Sequence, residues 1–159
     1  MKKNPLFALR KAGTAVWLDQ LSRELLQSGR LQTLRDDDAL SGVTSNPAIF
    51  HKAMTSGTAY ESQIKELRRE TLTPEQLYEH LAVSDIQIAC DILRPVWEQT
   101  KGADGFVSLE VSPHLAEDTA GTIREARRLW AELDRPNVFI KVPGTAKGLP
   151  AIRQGILSE

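Results

Sequence analysis

The sequence comprises 159 residues, 41% of them hydrophobic and 26% charged, enough apolar material for one domain with a core of its own. Twenty basic side chains stand against twenty-one acidic ones, a formal net charge of -1, so no overall field draws the chain to nucleic acid or to an anionic bilayer. The same composition argues against a disordered, fibrous or membranous chain, and a small or polar partner is the better expectation.

The N-terminus, MKKNPLFALRKAG, has only a four-residue apolar stretch, LFAL, before Arg10, too short for a signal-peptide core, and no later run approaches membrane-spanning length. A cytoplasmic protein is expected. Gly13 precedes a first strand at Thr14–Asp19, where AVWL is apolar and suited to a pleated sheet. A helix at Gln20–Gln27 is stopped by Gly29, the acidic run Asp36–Asp38 reads as a solvated loop, and a second strand spans Leu40–Ser45. After Asn46 and Pro47 comes a long helical excursion with Tyr60, Ile64 and Leu67 on one face, followed by a segment opening at Thr73.

Ser84 and Asp85 can cap the next helix, whose Ile86, Ala89, Cys90, Leu93 and Trp97 form one apolar stripe. Pro95 is expected to kink that helix or begin a new turn. Cys90 is the only cysteine; it excludes an internal disulfide framework, fits a reducing compartment, and reads as a small buried hydrophobe. A third strand spans Gly105–Val111, a helix Glu117–Leu133 and a fourth strand Asn137–Val142. Ile123, Ala126, Trp130 and Leu133 are expected on the buried side of that helix, with Arg124, Arg127 and Arg128 on a solvated side. A last helix begins near Thr145 and runs on at Gly155–Glu159 without a cap or breaker, as in a truncated chain.

Strands alternating with amphipathic helices predict a single α/β domain over residues 1–159 with a parallel sheet, since parallel neighbours need crossover connections. Side chains alternate along a strand, so Phe106, Ser108 and Glu110 share one face of the third strand and Val107, Leu109 and Val111 the other. The fourth strand repeats this, with Asn137, Phe139 and Lys141 opposite Val138, Ile140 and Val142. A barrel explains the pattern: helices cover the outer face, and the strand ends carrying Asp19, Asn46, Glu110 and Lys141 converge on one mouth. An open doubly wound sheet would call for a glycine-rich phosphate loop, and no strand exit has one.

Each polar residue also has a structural role open to it. Asn46 before Pro47 is a good helix cap, Asp19 can cap the following helix, and Glu110 and Lys141 can form a buried ion pair. The chemical reading follows from the lysine. An ordinary lysine, with a pKa near about 10.4, offers almost no free amine at neutral pH; burial at a strand end lowers that value by up to a few units and makes a nucleophile toward carbonyls. Imine formation then needs proton shuttling, which the carboxylates of Glu110 and Asp19 can supply.

GVTSNPAIF at Gly42–Phe50, SLEVSP at Ser108–Pro113, FIKVPGT at Phe139–Thr145 and AVWLDQLSR at Ala15–Arg23 together resemble the transaldolases, in particular the longer bacterial type. The resemblance implies a (β/α)8 TIM barrel of which this chain is a truncated N-terminal portion with about four parallel strands. It also implies transfer of a dihydroxyacetone unit from a ketose phosphate to an aldose phosphate in the pentose phosphate pathway, with no metal or organic cofactor. On this resemblance Lys141 forms the Schiff base, Asp19 is the acid and base at the hydroxyl beside the cleaved bond, and Glu110 manages the catalytic water. Asn46 and Thr44 then face the substrate, and the phosphate-binding residues belong to the part of the barrel not present here. A Schiff-base aldolase releasing its three-carbon unit, and a non-catalytic half barrel that self-associates through its sheet edges, are the competing readings.

Overall fold

A computed structural model describes residues 4–55 and 58–156. The last three residues of the segment Gly155–Glu159, and Lys2 and Lys3 at the N-terminus, therefore lie outside the described residues. The chain opens with a short helix, α1 (Leu6–Lys11), which buries none of its residues and which the sequence pattern does not announce. Strand β1 (Val16–Leu18) is shorter than the apolar segment suggests. Helix α2 (Arg23–Gln27) starts three residues later than expected because the Ser22 hydroxyl accepts from the Leu25 amide at 3.2 Å and fixes the helix start there.

Gly29, at φ 73°, ends α2 and at once precedes a further helix, α3 (Arg30–Asp37). The acidic run is thus a correction: Asp36 and Asp37 are exposed but belong to the last turn of α3, which Leu31, fully buried, anchors to the core. Strand β2 (Leu40–Thr44) leads into α4 (Pro47–Thr55) and α5 (Glu61–Leu67). Next comes α6 (Pro74–Gln99), a single helix of 26 residues opened by a reciprocal capping box between Thr73 and Gln76. Ser84 and Asp85 do not cap a new helix, since they lie inside α6, and the helix continues through Pro95.

Strand β3 (Phe106–Glu110) is followed by a 3-10 turn at Pro113–Leu115, α7 (Thr119–Leu133), β4 (Val138–Lys141) and α8 (Leu149–Ile156). The start of α7 is set by Asp118, whose carboxylate accepts from the Gly121 amide at 2.9 Å. The buried stripe of α7 is Thr122, Leu129 and Leu133 with Ala126 packed beside them; Trp130, expected in the core, is 59% exposed. Spacings of four, three and four residues along 122, 126, 129 and 133 complete a helical face that leaves no place for the larger indole.

The four strands form one parallel sheet in the order β1-β2-β3-β4, as the alternation of strands and helices predicts. Val43, Val107, Leu109, Val111 and Val138 are buried on the face that meets the helices. There α6 supplies Ile86, Ala89, Cys90 and Leu93, all at 0% exposure, with Val96 in the place expected of Trp97. Each fully buried Ile or Leu contributes about 1.5–3 kcal/mol. Asn137 departs from the simple alternation: it is wholly buried, and its amide donates to the carbonyls of Cys90 in α6 at 2.8 Å and of Gly105 at 2.9 Å.

The opposite face is aromatic at its base. Register aligns Trp17 with Gly42 and Gly42 with Phe106, and the Trp17 indole lies over the glycine, where an added Cβ would stand 2.1 Å from the ring. Phe139 stacks against Phe106 at 3.9 Å between centroids and against Trp17 at 6.4 Å. Nothing among the described residues covers this stack, and Trp17 and Phe139 remain 37% and 47% exposed.

A buried charge cluster joins α2 to α6. Arg23 Nε donates to Asp85 at 2.5 Å, the Tyr60 hydroxyl donates to the other Asp85 oxygen at 2.7 Å, and the Arg23 amide donates to Tyr60 at 2.9 Å. The guanidinium also lies over the Tyr60 ring, 4.7 Å from its centre. Burial pushes the Asp85 carboxyl up, and the bonds from Tyr60 and Arg23 oppose the shift. Arg23 Nη2 is buried without a hydrogen-bond partner among the described residues, so the cluster is incompletely compensated.

Two outcomes follow for urea denaturation. Arg23→Met strands the buried Asp85 carboxylate and costs about 3–5 kcal/mol, whereas Arg23→Met with Asp85→Leu recovers most of the loss. A double-variant loss equal to the sum of the Arg23→Met and Asp85→Leu losses would mean that the pair is not coupled. Gly42→Ala forces the Trp17 indole aside and costs about 1–3 kcal/mol, and adding Trp17→Ala makes the alanine at position 42 nearly neutral.

Candidate active site

The pairing of β3 with β4 aligns Glu110 with Lys141, and that of β2 with β3 aligns Thr44 with Ser108. Thr44, Glu110 and Lys141 stand at the carboxyl ends of their strands, above the aromatic stack, and Ser108 lies two residues before the end of β3. Three acceptors surround Lys141 Nζ: the Glu110 carboxylate in a very short contact, Thr44 Oγ1 at 3.2 Å and the Ser45 carbonyl at 3.3 Å. They match the three N–H donors of an ammonium group.

The site is more open than a buried ion pair. The side chains of Lys141 and Glu110 are 42% and 30% exposed, because no strand beyond β4 stands over them among the described residues. An ion pair so exposed adds little to stability. The desolvation expected of the lysine is therefore not provided by this part of the fold. Lys141 and Glu110 border a cleft of about 300 Å³ with Val111, Pro113, Val142 and Pro143. Beyond the lining residues, the Thr145 hydroxyl donates to the Ala116 carbonyl at 2.5 Å and ties the loop after β4 to the turn after β3.

Asp19 and Asn46 are both exposed. Asp19, just beyond β1, lines a different and larger cleft of about 700 Å³ with Gln20, Glu24, Lys52 and Tyr60, on the far side of β2 and β3 from Lys141. Asn46 precedes α4, and its carbonyl accepts the first helical bond, from the Phe50 amide at 3.0 Å. Thr44 contacts the lysine directly, so its hydroxyl is a neighbour of the amine in this structure.

Strand phase places Ser108 on the face of Glu110 without giving it a role, and nothing in the sequence pattern marks Ser45 as a site residue. Ser108 Oγ donates to Thr44 Oγ1 at 3.1 Å, and Ser45 Oγ donates to the Ser108 carbonyl at 2.6 Å. Strand phase was the available signal for Ser108, whereas Ser45 acts beyond the end of β2, where phase no longer applies. Tyr78 on α6 was also missed; burial, reinforced by the charge of Glu110, pushes its phenol up to about 12. Cys90 agrees with its reading as a buried hydrophobe: burial pushes the thiol up to about 12, far from a reactive thiolate. Among the described residues no group of three or more His, Cys, Asp or Glu is placed to hold a metal ion, and no helix is long and apolar enough to cross a membrane.

The family model described as Transaldolase/Fructose-6-phosphate aldolase matches residues 16–156. The chain is 50% identical to a transaldolase of Thiobacillus denitrificans over 141 residues, which is 89% of this chain and 39% of that protein. It is 47% identical to transaldolase 2 of a Nostoc species over 156 residues, 98% of this chain and 41% of the relative. With a transaldolase of Mycobacterium tuberculosis it shares 48% identity over 158 residues, 99% of this chain and 42% of the relative. The chain thus spans about two-fifths of the length of the curated relatives it matches. With four parallel strands in sequential order, helices on one face, and a match across nearly all of its length, the chain belongs to the transaldolase/fructose-6-phosphate aldolase family.

Proposed function

We propose that this chain carries the nucleophile of a transaldolase, with Lys141 forming a Schiff base to the carbonyl of a ketose phosphate such as sedoheptulose 7-phosphate or fructose 6-phosphate. The observation that carries the reading is the lysine amine at a strand end, in contact with the Glu110 carboxylate and beside an open cleft. Attack by the amine gives a carbinolamine, loss of water gives the imine, and Glu110 moves the protons of that water. Asp19 takes the proton from the hydroxyl next to the carbon–carbon bond that breaks, and Asn46 holds a substrate hydroxyl. The three-carbon unit then passes to an aldose phosphate, a reaction of the pentose phosphate pathway in the cytoplasm.

Asp19 lines a separate cleft and Lys141 is half exposed, so we infer that the activity of this chain by itself is weak or absent. Borohydride reduction in the presence of fructose 6-phosphate is expected to add a mass to the peptide containing Lys141 and not to the Lys141→Ala variant. Labelling that persists in Lys141→Ala would remove the lysine from the mechanism. Glu110→Gln is expected to slow labelling on the order of a hundredfold, the usual weight of a general acid–base group.

Two other readings have support of their own. The family description includes an aldolase, and an enzyme releasing the three-carbon unit would form dihydroxyacetone without an aldehyde acceptor. The uncovered aromatic stack of Trp17, Phe106 and Phe139 favours self-association across the open face and edges of the sheet. Light scattering is then expected to give a mass above that of one chain, and Phe139→Ser to lower it; a monodisperse single chain would count against pairing.

A further inference from the structure

Two of the three acceptors around Lys141 Nζ come from the last residue of β2, Thr44, and the residue after it, Ser45, and both are held by one residue of β3. Thr44 Oγ1 receives the Ser108 hydroxyl, and Ser45, whose carbonyl faces the amine, donates its own hydroxyl to the Ser108 carbonyl. The second bond extends the β2–β3 pairing past its last aligned residues, Thr44 and Ser108. Ser45 and Ser108 are 2% and 3% exposed, so water does not compete for these bonds. Threonine is branched at Cβ, and a turn about χ1 would present its methyl group to the lysine; the bond from Ser108 selects the rotamer that presents oxygen.

We propose that Ser108 is a positioning residue for the Lys141 amine, an inference that rests on the Schiff-base reading above and deepens it. The ammonium is bonded on three sides. When one proton passes from Nζ to the Glu110 carboxylate, the two remaining N–H groups stay on Thr44 Oγ1 and the Ser45 carbonyl, both fixed by Ser108. The nitrogen lone pair is then left on the side of Glu110, toward the cleft the two residues share. That lone pair attacks the substrate carbonyl carbon, the carbonyl π electrons move to oxygen, and the proton held by Glu110 is returned to that oxygen. Ser108 touches neither substrate nor amine; it acts through Thr44 and Ser45.

The test uses the chain with two probes, each read by mass spectrometry as the rate at Lys141 divided by the rates at the exposed Lys101 and Lys147. One probe is dihydroxyacetone with borohydride, and the other is trace acetic anhydride, which reports the amine independently of any sugar chemistry. Ser108→Ala and Thr44→Val are each expected to lower the Lys141 ratio by about five- to tenfold with both probes, the worth of one net hydrogen bond. Thr44→Ser, which keeps the hydroxyl, is expected to restore it. A Lys141 ratio that instead rises toward the rate of the exposed lysines in Ser108→Ala would report loosening of the site and would overturn the positioning role. Unchanged ratios in Ser108→Ala and Thr44→Val would overturn it too, while leaving Lys141 as the nucleophile. If dihydroxyacetone fails to label the unaltered chain but the anhydride ratio falls as stated, the positioning role stands and the Schiff-base reading fails.

Discussion

In a sheet with one covered face, a slip of a single residue moves every side chain to the wrong side, so burial of one set of residues locks the position of the other. Val107 and Leu109 of β3 are drawn under α6 and align with Val138 and Ile140 of β4. Once that apolar pairing is made, Glu110 and Lys141 have no freedom to miss one another, because they are the next aligned pair on the other face. The same holds one strand over, where Val43 aligned with Val107 brings Thr44 beside Ser108. The polar constellation is thus set by valines and leucines that never touch it.

Helix α6 is the second constraint, since it lies across β2 and β3 and also contacts α2, α3, α5 and α7. An uninterrupted helix of 26 residues runs from the segment after α5 to the turn before β3, and Asp85 near its middle holds Arg23 at the start of α2. The loop carrying Asp19 is thereby bounded by β1 on one side and by a clamped helix on the other. Burying charges for this purpose is costly, yet the cluster ties three separate segments at one point.

The strands and the lysine were legible because they depend on short-range alternation, which a single sequence displays in full. VSLEV and VFIKV announce both their buried and their polar faces. The errors lie where tertiary contacts outweigh local pattern. Ser84 and Asp85 look like a helix start, but Arg23 and Tyr60 supply partners for Asp85 that no local inspection could foresee. Trp130 is large and apolar, and only the packing of Thr122 and Leu129 against the sheet reveals that it stands outside. Ser45 depends on a bond to a residue 63 positions away. The alignment of Glu110 with Lys141 was legible from strand phase; that Asp19 lines a different cleft was not, since phase within one strand does not tell the order of the strands.

The sequence separations around the amine bear on how the chain reaches this state. Lys141 is 31 residues from Glu110 but 97 from Thr44, and the serine bond that fixes Ser45 closes a span of 63. Contacts between parallel strands require long loops to close before any stabilisation is gained, and they form late. A collapsed intermediate that has paired β3 with β4 would already hold the lysine beside its carboxylate, yet would lack both Thr44 and Ser45 as acceptors. The amine is therefore a kinetic reporter as well as a reactive group: its environment is completed only when the first and last thirds of the chain have met.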